Sequence, residues 1–199
     1  MTITFFLIRH AAHDNVGGYL AGRSSGVRLG EAGLAQAARL GARMTRECFD
    51  AIYASPRERT QETAFAIASA SGGMAVEITE ALDEVDFGTW SGNSFETLNS
   101  DPLWRQWNTI RSLTRTPGGE NMLDVQRRVL SLMEELAVRH DEGAIVLVSH
   151  ADVIKTAVSH VLGMPIDAWP RFDISPASIT TVVSGTWGAK LLTLNEVIS

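Results

Sequence analysis

In the stretch Thr4-Phe5-Phe6-Leu7-Ile8-Arg9-His10-Ala11-Ala12-His13-Asp14, an apolar run stops abruptly on an adjacent arginine and histidine. The six residues from Thr4 to Arg9 favour extended backbone and are followed by small residues, which predicts a buried strand feeding a loop. In open α/β sheets the ligand crevice lies beyond the carboxyl ends of the strands. Arg9 and His10 fall at such an end, a fixed cation beside a side chain that can act as nucleophile or base.

Working outward, strands and helices alternate. Gly30-Glu31-Ala32-Gly33 opens a helix with Leu34, Ala37, Ala38, Leu40, Gly41 and Met44 as its apolar stripe. Phe49 to Ala54 is a short strand, and Ser55-Pro56 supply an N-cap and first helical residue for a helix through about Ala70. Val76 and Ile78 mark a brief strand leading to Leu82-Asp83-Glu84-Val85-Asp86-Phe87-Gly88. The segment from about 88 to 119, with Trp90, Trp104 and Trp107, has the least regular pattern and reads as a lid-like excursion. Pro117-Gly118-Gly119-Glu120 introduces a long helix carrying Met122, Val125, Val129, Leu132, Met133 and Leu136. Ala144 to Val148 is a fully apolar strand that ends on Ser149-His150, followed by a helix from about Asp152 to Leu162. Ser178–Val183 and Ala189–Leu194 form a final hairpin. The alternation predicts an α/β fold with a mainly parallel central sheet, a single-domain three-layer α/β/α sandwich.

The composition narrows the functional classes. The chain has 199 residues, 45% apolar and 20% charged, as expected for one globular domain with a substantial core. A net charge of −6 argues against nonspecific nucleic-acid or anionic-membrane partners. Cys48 is the only cysteine, which excludes an internal disulfide and a thiolate zinc cage. The first apolar run lacks a basic leader and is cut short by Arg9, so neither a signal peptide nor a membrane span is expected, and the location implied is cytoplasmic.

Two apolar strands therefore end in histidine, Ile8-Arg9-His10 and Val148-Ser149-His150. Either alone reads as well as a loop histidine closing a strand; two parallel strands doing so would bring both rings to one sheet edge. Ser55-Pro56-Arg57-Glu58-Arg59 adds two cations at a helix N-terminus, where an anion is the favoured neighbour.

These segments, in this order, resemble the histidine phosphatase superfamily, the phosphoglycerate-mutase-like group, and in particular its short cofactor-independent phosphatases. Ile8-Arg9-His10-Ala11 resembles the nucleophile motif, and Ala54-Ser55-Pro56-Arg57-Glu58-Arg59-Thr60-Gln61-Glu62-Thr63-Ala64 resembles the second-arginine helix. Leu82 to Gly92 resembles the segment bearing the acidic proton donor, and Val148 to Ile154 resembles the second-histidine motif. The resemblance implies a phosphoglycerate-mutase-like fold and hydrolysis of a small-molecule phosphate ester through a phosphohistidine, with no metal or other cofactor. It implies His10 as nucleophile, Arg9, Arg59 and His150 as phosphate contacts and Glu84 as proton donor. By the same resemblance Arg23, in Gly22-Arg23, reaches the substrate. The family's asparagine falls six residues after the nucleophile, at Val16 here, so Asn15 becomes the candidate for that contact.

These residue types suit the chemistry. Phosphoryl transfer is mostly positioning and charge neutralisation, for which two guanidinium forks are matched donors. A neutral imidazole splits one hard displacement into two easier ones. A buried carboxyl can protonate the leaving oxygen and then assist water. Taken locally, Glu84 reads as well as a solvated acid in an acidic run. The chain departs from the family at Ala11 and Ala151, where glycines are usual and a methyl group threatens a strained backbone. Rival readings are a metal-dependent phosphoesterase using His10, His13, Asp14, His150 and Asp152, a mutase, and a phosphate binder without turnover. Phe87, Trp90, Trp104 and Trp107 either line a pocket for the leaving group or pack the excursion onto the core.

Overall fold

The structure, a computed structural model, describes residues 2–14, 17–140 and 142–198. Strand β1 (Thr2–Arg9) is followed by α1 (Glu31–Met44), β2 (Ala51–Ala54), α2 (Glu58–Ala70) and β3 (Val76–Ile78). Two short helices, α3 (Phe95–Ser100) and α4 (Pro102–Trp107), precede α5 (Met122–His140), β4 (Gly143–Ser149) and α6 (Ala151–Val161). The hairpin β5 (Ile179–Gly185) and β6 (Gly188–Glu196) closes the chain. The six strands form one sheet in the order β3-β2-β4-β1-β5-β6. The β1–β4, β2–β4 and β2–β3 pairs are parallel, while β5 and β6 add an antiparallel margin.

Side chains alternate across the sheet with a period of two, and each face buries its own core. Phe5, Leu7, Ile145 and Leu147 pack with Val125, Val129 and Leu136 of α5 and Val153, Ile154 and Ala157 of α6. Phe6, Ile8, Val146 and Val148 pack with Leu40 and Met44 of α1 and Ala64, Ile67 and Ala68 of α2. These are the three layers expected from the alternation of elements. Among the described residues, no helix is long and apolar enough to cross a membrane.

Local expectations fail in two places. The helix after β2 begins at Glu58 with Arg57 at the N-cap, not at Ser55-Pro56. Ser55 stays beyond the helix because its hydroxyl is held by His150 and Asp83. The stripe of α1 is narrower than its apolar sequence suggests: Gly33, Ala37, Leu40, Gly41 and Met44 are buried, whereas Leu34 and Ala38 are exposed. Gly41 explains this, because α1 and α2 approach so closely there that a Cβ would press on Ala66 O.

The tryptophans of the 88–119 excursion belong to the core. Trp90, Trp104 and Trp107 are all buried, and Trp107 has no exposed surface. Trp90 meets Trp104 edge-on at 5.3 Å between centroids, and Phe87 meets Trp107 at 6.2 Å. Trp90 Nε1 donates to Asp101 at 2.8 Å. Packing is thus their role in this arrangement, rather than lining a pocket. Trp107→Ala is expected to cost about 3–5 kcal/mol of stability by urea unfolding. A loss below about 1 kcal/mol would mean that the excursion is only loosely attached.

Candidate active site

Three parallel strands end at one level. Arg9 of β1 lies opposite Ser149 of β4, and Ala54 of β2 lies opposite Val148. One residue further on, His10 N donates to Ser149 O at 3.0 Å and Ser55 N donates to Val148 O at 3.1 Å. His10, His150 and Ser55 therefore meet at the carboxyl edge of the sheet. The two imidazoles stand edge-to-face with centroids 5.2 Å apart. From α2, Arg59 reaches between them: its Nε is 3.4 Å from His10 Nε2, and its Nη2 donates to His150 Nδ1 at 3.2 Å.

His10 is held as one tautomer. Its Nδ1 lies 2.8 Å from the Ala11 carbonyl, which can only accept, so Nδ1 carries the proton and Nε2 keeps its lone pair. Burial, then Arg59 and Arg9, push the His10 pKa well below the ordinary histidine value. Burial, then Arg59, His10, Arg128 and Arg9, hold His150 well below it. Ser55 Oγ lies 2.9 Å from His150 Nε2 and 3.2 Å from Asp83 Oδ1. The serine hydroxyl can accept from Nε2, or turn and donate to it, so it serves either tautomer of His150.

Both arginines combine fixed contacts with free donors. Arg9 Nη1 donates to Ile174 O at 2.6 Å, and Arg59 Nη2 donates to Gly22 O at 2.8 Å. Arg9 Nε and Arg59 Nη1 are buried without an acceptor among the described residues. Leaving a buried charged donor unpaired is costly, so a site built this way favours an anion.

Glu84 completes the group. Its Oε2 lies 3.5 Å from His150 Nδ1, and its Oε1 accepts from Val85 N at 2.9 Å. Burial, followed by Asp152, raises its pKa to about 7, against the opposing pull of Arg59, the Val85 amide and Arg9. A carboxyl so poised exchanges a proton near neutrality.

The remaining candidates divide. Arg23 lies beside Glu84 with two of its donors engaged, Nε by Glu84 O at 2.8 Å and Nη2 by Glu120 Oε2 at 2.9 Å, while Nη1 lies 3.7 Å from Asp86 Oδ2. Arg57 does not point into solvent; Nε pairs with Asp83 Oδ1 at 3.0 Å and Nη1 donates to Arg23 O at 2.6 Å. Asn15 lies outside the described residues. Neither Ala11 nor Ala151 has a positive φ, so the alanines impose no backbone strain of the kind their glycine-replacing positions suggested.

Sequence reasoning missed two contributors. His13 stacks on His10 with centroids 6.0 Å apart, and its Nδ1 is buried without a partner among the described residues. By residue type it was a candidate metal ligand, although its spacing from His10 matches no helical metal motif, and nothing in the sequence signals stacking. Among the described residues, no group of three or more His, Cys, Asp or Glu is placed to hold a metal ion. Asp83, next to the candidate acid, anchors Ser55, Arg57 and the Glu84 amide. The resemblance pointed to Glu84, and nothing in the sequence signalled that Asp83 would be buried as its anchor.

Comparison with known proteins fits this geometry. The chain is 31% identical over 185 residues to phosphoserine phosphatase 1 of Hydrogenobacter thermophilus, spanning 90% of this chain and 86% of that protein. It is 25% identical over 194 residues to the adenosylcobalamin/alpha-ribazole phosphatase of Escherichia coli, spanning 96% and 95%. The solved phosphoserine phosphatase of Entamoeba histolytica, in complex with 3-phosphoglyceric acid, superposes with a TM-score of 0.87 at 28% identity, over 98% of this chain and 97% of that one. The family model of the histidine phosphatase superfamily, branch 1, matches residues 5–197, and with two strand-end histidines and a helix arginine meeting at one sheet edge, the chain belongs to that superfamily.

Proposed function

We propose that the protein hydrolyses phosphate monoesters of small molecules through a phosphohistidine at His10, without a metal ion or other cofactor. The observation that carries this reading is the pairing of a neutral His10 Nε2 with two guanidinium groups, the buried Arg59 and the partly buried Arg9, each of which keeps a buried donor without an acceptor among the described residues. Phosphate oxygens are matched acceptors for those donors, and their charge offsets the burial of two cations. In the first step Nε2 attacks phosphorus, Glu84 gives its proton to the leaving oxygen, and Arg9 and Arg59 neutralise the equatorial oxygens. His150 Nδ1 accepts from Arg59 Nη2 and aims that guanidinium; it offers Nδ1–H to phosphate only when Arg59 Nη2 turns to the phosphate and Ser55 donates to His150 Nε2. In the second step ionised Glu84 takes a proton from water as the water oxygen attacks phosphorus; the phosphorus–Nε2 bond breaks, its electron pair returns to His10 and inorganic phosphate leaves. Relatives named as phosphatases of phosphoserine, glucosyl-3-phosphoglycerate and alpha-ribazole support a small phosphate ester as substrate.

Two peripheral assignments belong to the same proposal. The excursion borders the leaving-group side, a placement supported by Arg111 pairing with Asp152 of α6 at 2.9 Å, where Asp152 in turn influences Glu84. A cytoplasmic location is supported by the lone cysteine, which leaves no internal disulfide to need an oxidising compartment.

Phosphate release from a panel of monoesters, assayed with and without chelator, tests the reading. Turnover is expected to survive chelation and to be inhibited competitively by vanadate; loss with chelator and recovery with added metal would overturn it. Arg59→Ala is expected to lower kcat/KM by about 10²–10³-fold, as for loss of an oxyanion donor. Arg57→Ala, whose side chain contacts Asp83 and the Arg23 carbonyl rather than the two histidines, is expected to lower it much less.

The pH dependence has a definite sign. Glu84 must be protonated to act first as an acid, and with its pKa raised to about 7 that form is lost as pH rises through this value. His10 stays neutral well below the ordinary histidine pKa, so its protonation removes no activity near pH 6.5. The expected kcat/KM profile falls above about pH 7, with a limb that Glu84→Gln removes. A limb unchanged in Glu84→Gln would assign it to another group.

A further inference from the structure

The side chain of Glu84 can serve as an acid only if its main chain is held still, and the structure holds it by an unusual device. The Glu84 carbonyl accepts from Arg23 Nε at 2.8 Å and from Arg128 Nη2 at 3.1 Å. Arg128 comes from α5 and also donates from Nη1 to Ala81 O at 2.8 Å, so it grips the loop at two points. Two guanidinium groups on one carbonyl would repel each other. Glu120 lies against both: Oε2 accepts from Arg23 Nη2 at 2.9 Å, and Oε1 accepts from Arg128 Nε at 3.0 Å. The same Oε2 accepts from Asp86 N at 2.9 Å. The backbone is laced along the same line, with Glu120 N donating to Asp86 O at 2.9 Å and Thr116 Oγ1 donating to it at 2.7 Å. Gly119 permits this approach, since a Cβ there would overlap Asp86 O.

We propose that Glu120 is a positioning residue for the proton donor: by balancing Arg23 and Arg128, it fixes the two-armed clamp on the Glu84 carbonyl and so aims the Glu84 carboxyl at the leaving oxygen. The inference rests on Glu84 being that donor. It also gives Arg23 a role different from substrate contact. None of the three groups touches the transferred phosphate in this scheme. Loosening the clamp therefore harms proton donation selectively.

That selectivity provides the test. An alkyl phosphate needs its leaving oxygen protonated, whereas 4-nitrophenyl phosphate expels a stable phenolate with little help. The quantity to measure is kcat/KM for both esters in wild type, Glu120→Gln and Glu84→Gln. It reports phosphoryl transfer to the enzyme, and an inactive fraction lowers both values alike, leaving their ratio unchanged. Glu120→Gln is expected to lose about tenfold or more additional activity on the alkyl ester than on the nitrophenyl ester, a modest part of what general acids contribute. Arg128→Lys keeps the charge but loses the planar fork, and is expected to show the same bias; it carries the test if Glu120→Gln does not fold. Equal losses on both esters in these variants, with a biased loss in Glu84→Gln, would overturn the positioning role alone. Equal losses in Glu84→Gln itself would overturn the assignment of the proton donor.

Discussion

The site depends on the parallel pairing of β1 with β4. Because Arg9 is level with Ser149, the next residue of each strand is a histidine at the same height, and His10 N closes on Ser149 O. A shift of one residue in this register would send one imidazole to the opposite face of the sheet. The alternating cores oppose that shift, since slipping β1 would turn Phe5 and Leu7 away from α5 and α6 and toward the layer of α1 and α2. Core packing and active-site geometry are thus one constraint.

Charge burial then sets the protonation states of the groups proposed as acid and nucleophile. Arg9 and Arg59 enter a region with little water, where their fields are weakly screened. They add to the burial that keeps both imidazoles neutral. They oppose the burial that raises Glu84, but do not cancel it. The result is an unprotonated base beside a protonated carboxyl near neutral pH, the combination required by attack and leaving-group protonation. Polar supports fix the orientations: the Ala11 carbonyl for His10, Ser55 for His150, and the main-chain clamp for Glu84.

Much of this was legible from residue order. Apolar runs that stop on Arg9-His10 and Ser149-His150 specify strands and their ends, because a buried parallel strand tolerates little but apolar side chains. Arg59 and Glu84 were legible as candidates only through the family resemblance of the segments that carry them. Long-range partners were not legible. Nothing in Pro117-Gly118-Gly119-Glu120 beyond a helix start signals that Glu120 pairs with Arg23, 97 positions away. Arg57 read equally well as an exposed helix cation or a functional one, because its partner, Asp83, comes from a distant loop. Ser55 followed the rule for helix caps, yet its hydroxyl is used by the histidine it faces. Tryptophans in an irregular segment carry no periodicity, so the sequence pattern could not separate packing from pocket.

The nucleophile is the point on which the whole reading turns, and rapid quench in alkali tests it most directly. Brief reaction with a 32P-labelled phosphate monoester, followed by alkaline quench and peptide mapping, is expected to place an acid-labile label on His10 in the wild type and none in His10→Ala. Label on His150, or near-normal turnover by His10→Ala, would contradict the assignment.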